Sequence, residues 1–477
     1  MMTDNFVKGL FLVVLVIAGF SGNAQDKFGA THSNYSPTNS VHLNPSSMLD
    51  AKTWLDIHIV GAGSYVNNNF LAIEDNSWLN VAQQRQVDEN QLLYNTNRNR
   101  YHFYNRNNVS ALSAVLSQGD HAFGLSFNGY TYADARNINN AIAQPLAQYL
   151  NGQNVDDLSN LDVNNLRLNA LSYGEVKLSY AYTFKKVFRE LWMFGGSFKK
   201  IFPVAGGAAK VSEANYSILP NDLLAVGRFQ GDVMFNQSPE FILLGGMGID
   251  LGFTFQKMQE RSSIYFPNSQ KSGCKRNHYI YKIGISVLDL GSVKFKEATT
   301  QSYAVQVDSI TVNPSSNIES ILSSVTTGQE ASGINKTNKM SLPTVLSLQL
   351  DFNVWNNMFY INGTLIQGIP PFSGSFGPRR ANSLSITPRF ETKWFDIAMP
   401  FSIYEYRQAQ LGLSTRLYFL TIGTDKLLSI FVPSDLYGAD IYAQIKVPLY
   451  KNPKCKDKSF NSKKSRKKRK KLCEAYW

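Results

Sequence analysis

Apolar and polar residues alternate without a break at Gly174–Phe184. Val176, Leu178, Tyr180, Tyr182 and Phe184 share one face, and Glu175, Lys177, Ser179, Ala181 and Thr183 share the other. A strand sends successive side chains to opposite faces, so this segment has one apolar and one polar wall. The pattern recurs at Lys52–Gly63, Val109–Ser117, His121–Tyr132, Leu191–Phe202, Leu243–Lys257, Asn277–Leu290, Leu342–Asn353, Asn357–Gly368, Ser383–Thr392 and Phe395–Glu405. Gln408–Arg416, Phe419–Asp425 and Gly438–Tyr450 complete the set. Strands of ~9–11 residues cross a bilayer when tilted, and only a closed barrel does so without unpaired backbone in lipid. The pattern therefore predicts an all-β fold, a transmembrane antiparallel β-barrel of about fourteen strands over residues 52–450.

The connections alternate in length. Those after the first, third, fifth and seventh strands are long: Ser64–Asn108, Ala133–Tyr173, Pro203–Ile242 and Gly291–Ser341. Most of the others are short, as at Gln118-Gly119-Asp120 and Lys393-Trp394. Barrels of this class have short periplasmic turns and long extracellular loops, and an even strand number puts both ends in the periplasm. Met258–Arg276 is the exception, a longer connection on the expected periplasmic side. Within the long connections, Ser316-x-x-Glu319 and the stripe Ile138, Ile142, Leu146, Leu150 predict helices, the second interrupted at Pro145. Arg228–Asn236 has the character of a further strand.

The ends have their own signatures. Lys8, the apolar run Leu10–Phe20 and the small-residue site Gly22-Asn23-Ala24 form the pattern of a secretory signal over residues 1–24. Residues 25–51 are polar, rich in Asn and Ser, and carry Pro37 and Pro45 without strand alternation; they are expected to fold into the barrel as a luminal plug. The net charge is +12. Lys451–Lys471 holds twelve Lys or Arg and one Asp, so the rest of the chain is near neutral (12 − 11 = +1). This basic tail, residues 451–477, is expected to be disordered and periplasmic, where it would meet an acidic protein or another anionic envelope partner. With export, nucleic acid is not an expected partner; membrane lipids are. Aromatic residues make up 13% of the chain, in keeping with girdles at the two bilayer interfaces. Of the three cysteines, Cys274, Cys455 and Cys473, the last two bracket the basic run and either pair around it or stay free.

Val41-His42-Leu43-Asn44-Pro45-Ser46-Ser47 precedes the first strand and resembles the Asn-Pro-Ala signature of long-chain fatty-acid transporter barrels, with Ser46 in place of the alanine. Gly248-Ile249-Asp250-Leu251-Gly252, Leu288-Asp289-Leu290-Gly291 and Leu342-Pro343-Thr344 resemble elements of a related group that includes the outer-membrane shuttle barrel of the type IX secretion system. Over residues 25–450 the chain is most similar to an uncharacterised Bacteroidota barrel family in this superfamily. The resemblance implies a fourteen-stranded barrel with a plugged lumen. It implies no substrate, because one fold hosts many functions.

Catalytic chemistry has little footing. Asp56 and His58 share the predicted lumen face, half of a nucleophilic triad, but no Gly-x-Ser-x-Gly context accompanies them. Cys274 and His278 lie four apart with no further ligands nearby, so no metal is expected. Gly245, Gly246, Gly248 and Gly252 lack the strand–helix context of a phosphate loop, and no cofactor is expected. The candidate functional surface is the lumen: Asp56, His58, Glu175, Lys177, Asp351, Arg389, Glu391 and Asp440, with Gln349, Asp396, Gln444 and Lys446, all point inward by parity. Both charge signs are present, which suits a hydrogen-bonded lumen packed around a plug. The expected function is that of a non-enzymatic outer-membrane barrel engaged in protein interaction or secretion. The alternative is a transporter or receptor for a small hydrophobic ligand.

Overall fold

The computed structural model describes residues 27–84, 92–95, 98–150, 158–219, 223–236, 245–272, 274–295, 298–312, 339–370 and 376–455. The signal sequence, the Ser316–Glu319 helix and the tail beyond Cys455 lie outside the described residues.

The strands close into a fourteen-stranded antiparallel barrel. In chain order these are β1 (Leu55–Asn68), β2 (Tyr101–Ser110 and Ser113–Gln118), β3 (His121–Ile138), β4 (Leu158–Val187) and β5 (Glu190–Leu219). There follow β6 (Leu223–Asn236 and Gly246–Met258), β7 (Tyr279–Lys294 and Ala298–Val312), β8 (Lys339–Ser341 and Val345–Trp355) and β9 (Phe359–Gly368). The ring is completed by β10 (Ser383–Glu391), β11 (Phe395–Ala398 and Phe401–Tyr404), β12 (Gln408–Leu411 and Leu413–Leu417), β13 (Leu420–Thr424) and β14 (Gly438–Leu449). Closure is made by β14 on β1, from Leu55↔Leu449 to Asn67↔Gly438.

The barrel is inside out relative to a water-soluble fold. Leu178 is 58% exposed and Phe123 55%, whereas Asp351, Asp56 and Lys446 are fully buried. Outward apolar and inward polar positions along each strand are what a lipid-facing wall around a polar interior requires. Ile249, Leu251, Ile283, Ile285, Leu348, Leu350, Ile386 and Ile445 extend the apolar belt around the ring. Among the described residues no helix is long and apolar enough to cross a membrane. The chain folds as a β-barrel of the membrane-spanning kind.

Two expected long loops turn out to be largely strand. β4 and β5 each run for 30 residues, about three times what a bilayer needs. Arg228–Asn236 is the outer part of β6, in line with Gly246–Met258 along β5, so it adds no strand to the ring. The outer part of β7 pairs with it. Alternation in sequence marked only the lipid-facing stretches, because above the bilayer both faces of a strand meet water or protein. The resulting projection has its own core. Helix α1 (Asn140–Leu150), with Pro145 inside it, sets Ala143 beside Val163, Leu166, Val211 and Ala214, together with Phe70, Leu71 and Tyr101.

Met258–Arg276, the long connection at the opposite mouth, folds across that opening. The Asn268 side-chain amide donates to the carbonyls of Thr53 (3.1 Å) and Ser117 (3.2 Å), and Arg276 donates to those of Lys52 and Tyr450. Cys274 forms a disulfide with Cys455. Of the two alternatives the sequence left open for Cys455, pairing with Cys473 or a free thiol, neither holds: the barrel brings the cap and the exit of β14 together, with the Cα atoms of Cys274 and Cys455 5.8 Å apart.

Candidate functional site

The lumen is occupied by the chain itself. Residues 27–52 form short turns of helix, Phe28–Thr31, Pro37–Ser40 and the 3-10 turn Pro45–Met48, and most of their side chains are buried. Their partners lie on strands all around the ring. The Thr38 hydroxyl donates to Asp56 on β1 (2.7 Å), and the Asn34 amide to Glu391 on β10 (2.8 Å). The Ser33 hydroxyl donates to Asp396 on β11 (2.6 Å), and the Leu43 carbonyl accepts from Ser286 on β7 (2.6 Å). Lys446 on β14 donates to the Tyr35 carbonyl and the Ser36 hydroxyl, both at 2.6 Å. One short segment reaches so many strands only from inside the ring.

The Asn44-Pro45-Ser46 triplet has the densest set of contacts. Asn44 Oδ1 accepts from Ser46 N (3.0 Å) and Oγ (2.7 Å), which caps the following turn. Asn44 Nδ2 donates to the Phe253 carbonyl, to Thr254 Oγ1 and to Gln349 Oε1 (2.9 Å). Three wall glycines make room for this. A Cβ on Gly195 would overlap Ser46 N, one on Gly252 would overlap Asn44 Oδ1, and one on Gly284 would overlap Gln349 Oε1. These glycines sit on β5, β6 and β7 at positions where any side chain would meet the segment. No signal in a single sequence tells such a seat from ordinary glycine in a curved strand.

The inward charges form two networks. In the first, Arg389 makes a bidentate pair with Asp351 (2.8 and 2.7 Å) and reaches Glu391 (2.5 Å). Tyr279 donates to Asp351 (2.7 Å), and Lys282 and Lys52 stand 3.2 Å from Asp351 and 3.7 Å from Glu391. In the second, Lys199 contacts Asp250 (2.8 Å), Asp289 and, more distantly, Glu175 (3.9 Å). Lys177 lies 3.8 Å from Asp250 and donates to His42 Nδ1 (2.8 Å). Buried charges are tolerated only when paired and hydrogen-bonded; the first network meets that condition, whereas in the second Glu175 Oε2 and Asp250 Oδ2 make no hydrogen bond and face only lysine ammoniums, at 3.9 and 3.8 Å.

Every parity-predicted lumen residue is buried, but the structure does not gather them into one centre. Asp56 holds Thr38 and lies 3.4 Å from Lys446, whereas His58 Nε2 pairs with Ser110 Oγ (2.8 Å), so these two do not form a dyad. Asp440 accepts from the Asp425 N–H, far from the Asp351–Arg389–Glu391 group. Lys199, Asp250, Asp289 and Lys282 escaped the sequence reading. Parity alone marks Lys199. Asp289 hides because a register shift between Ile249 and Leu251, and its positive φ of 58°, turn it inward beside Leu288.

Burial tunes the luminal segment. His32 is pushed down to about 3, first by burial and then by the Arg389 charge. Burial, then Lys177, holds His42 well below the usual histidine range. Asp50 is raised to about 6 by burial, against the opposing hydrogen bond from Tyr265 (2.9 Å). Neutral imidazoles accept or donate without carrying charge into the packed interior. Among the described residues no group of His, Cys, Asp and Glu is arranged to hold a metal.

In solved structures the chain is similar to the CymD monoaromatic hydrocarbon channel, at 8% identity over 89% of this chain and 96% of that one, TM-score 0.32. It is likewise similar to the TodX monoaromatic hydrocarbon channel deltaS2 mutant (9%, 89% and 94%, TM-score 0.32) and to a Pseudomonas aeruginosa FadL homologue (8%, 89% and 97%, TM-score 0.21). No curated protein matches the chain. Residues 45–425, from the middle of the Asn-Pro-Ser triplet to the end of β13, match a single family description, and the chain belongs to that family of unknown function, DUF5723.

Proposed function

We propose that the protein is a closed outer-membrane barrel that presents its extracellular β-projection to a protein partner, with residues 27–52 as the plug that keeps it closed. One observation carries this reading. The wall from β4 to β7 continues far past the apolar belt into a sheet with its own hydrophobic core, while the lumen below is filled. The outer sixteen residues of β4, 158–173, span ~50 Å at ~3.3 Å per residue, an extension that crossing a membrane does not need. Two luminal cavities lined by the segment are each about 50 Å³, against ~300–1,000 Å³ for ordinary small-molecule pockets.

A second reading, capture or passage of a small hydrophobic ligand, draws on one feature. Tyr130, Tyr132, Tyr173, Phe295 and Met340 form an apolar layer, with inward positions on β3, β4 and β8 contributing to it. The basic run Lys451–Lys471 is proposed to engage an acidic periplasmic partner. Native purification of the full chain in mild detergent separates the two main readings. A stoichiometric protein partner, lost when the projection is shaved by external protease, is the expected result. A bound lipid with no partner would reverse the order.

A further inference from the structure

A cluster of cations meets a polar void where the luminal segment faces β1 to β3. The cavity of about 50 Å³ is lined by Lys27 and Asn39 from the segment, by Arg106 from the wall and by Arg380 from the β9–β10 connection. His42, His58 and Tyr130 complete its titratable lining, and among the described residues no carboxylate lines it. The nearest described carboxylates also serve other partners. Asp289 lies 3.8 Å from Arg380 and is held by Lys199; Glu175 accepts from Asn128 at 3.0 Å; Asp440 attracts Lys27 more weakly than Arg106 repels it. Arg106 also lies over the rings of Tyr130 and Tyr132, 5.5 and 5.4 Å from their centroids.

A second, independent observation comes from Asn39. Its side chain is 8% exposed, and its amide nitrogen, a donor, has no hydrogen-bond partner. A buried donor left unpaired is costly and calls for an acceptor. The Lys177 ammonium donates to His42 Nδ1, which leaves the imidazole hydrogen on Nε2 as a further donor. The lining thus offers positive charge and donors from both the segment and the wall. Burial and then the Arg106 charge pull Lys27 down to about 8, with Asp440 opposing them.

We propose that this cavity binds a small inorganic anion, a halide or a tetrahedral oxyanion, that bridges Lys27 and Asn39 of the luminal segment to Arg106 and Arg380 and so locks the segment in place. The size fits: ~10–15 Å³ of such volume holds one water, so this cavity takes an ion with water but no acyl chain. A single negative charge offsets the mutual repulsion of the cations, and an acceptor satisfies Asn39.

The test uses the full chain purified in detergent and crystallised, with bromide and selenate as separate probes located by anomalous scattering. A peak within hydrogen-bonding distance of Lys27 Nζ and Asn39 Nδ2 is expected with either probe. Asn39→Asp places a fixed carboxylate in the cavity, so it is expected to keep heat-modifiable gel migration yet weaken bromide binding by at least ~10-fold. Lys27→Met is expected to lose the peak as well. The proposal is overturned if the wild-type cavity shows no anomalous density, or if Asn39→Asp binds bromide as the wild type does.

Discussion

Replacing Gly252 with alanine probes whether the glycine seat holds the luminal segment. The new Cβ would overlap Asn44 Oδ1 and come within 2.9 Å of Pro45 Cδ. Wall backbone is fixed by the ladders to β5 and β7, so the segment has to yield. Overpacking a well-filled site costs ~1–3 kcal/mol. If Asn44 shifts, its bonds to Phe253, Thr254 and Gln349 lengthen together, and each buried polar group left unpaired costs another ~1–3 kcal/mol. A loss of ~3–5 kcal/mol in docking follows, a factor of at least ~100 in the population of the undocked segment. Gly363→Ala is the control, because the nearest atom to its Cβ is Leu350 Cβ at 4.0 Å. The assay is limited proteolysis of the folded barrel, read as cleavage within residues 27–52, with heat-modifiable migration confirming an intact wall. Gly252→Ala is expected to cleave far faster than Gly363→Ala. Equal protection of the two variants would refute the seat.

Other expectations follow from the same contacts. Leu348→Arg puts a charge on the lipid face and is expected to cost ~2–4 kcal/mol of barrel stability in denaturant titrations, whereas a loss under about 1 kcal/mol would place Leu348 away from the bilayer midplane. Acid is expected to loosen the segment: the stability owed to neutral His32 is complete above pH 6.5 and lost as pH falls toward 3, worth about 3 kcal/mol by pH 4. Asp50, raised to about 6, loses stability in the opposite sense as pH rises from 3.8, so His42 tips the balance, and unchanged protease protection at about pH 4 would contradict the assignment. Cys274→Ser is expected to let fragments cut between residues 312 and 339, a connection that lies between the two cysteines, separate on a denaturing gel without reductant, whereas the wild-type fragments stay linked until reduced; wild-type fragments from that cut that part without reductant would disprove the Cys274–Cys455 bond. Deleting residues 27–51 is expected to turn a silent barrel into an ion-conducting one in planar bilayers, and a deletion variant without conductance would show that the wall closes by itself.

Strand identity and inward parity were legible because a bilayer imposes a period of two on every crossing, and Val176–Phe184 or Ile441–Leu449 display it without interference. The vertical extent was not. Above the bilayer the apolar face packs against α1 or a neighbouring strand, as Val163 and Leu166 do, and alternation gives way to mixed burial. The disulfide escaped because 181 residues separate Cys274 from Cys455, and only barrel closure brings them together. Single lumen residues were found by parity, yet their partners were not. Lys199 and Asp289 meet through a register shift, and Asn34 reaches Glu391 across 357 positions.

The width of the ring explains why the lumen is filled with chain and why that chain is polar. An eight-stranded barrel closes tightly enough for its own side chains to fill it, and one of sixteen to eighteen strands leaves an aqueous channel. Fourteen strands fall between. The inward faces of β4 to β11 carry Glu175, Lys177, Lys199, Asp250, Asp351, Arg389, Glu391 and Asp396; the wall pairs these charges with one another, but an apolar filler would leave their remaining donors and acceptors buried without hydrogen bonds. Residues 27–52 answer with Ser33, Asn34, Thr38, Asn44, Ser46 and their own carbonyls, small groups that donate and accept at close range. Removing the segment exposes charges that only water can solvate. The undocked state is therefore a hydrated one, which makes ion conductance, rather than uptake of an apolar probe, the signal by which it is detected.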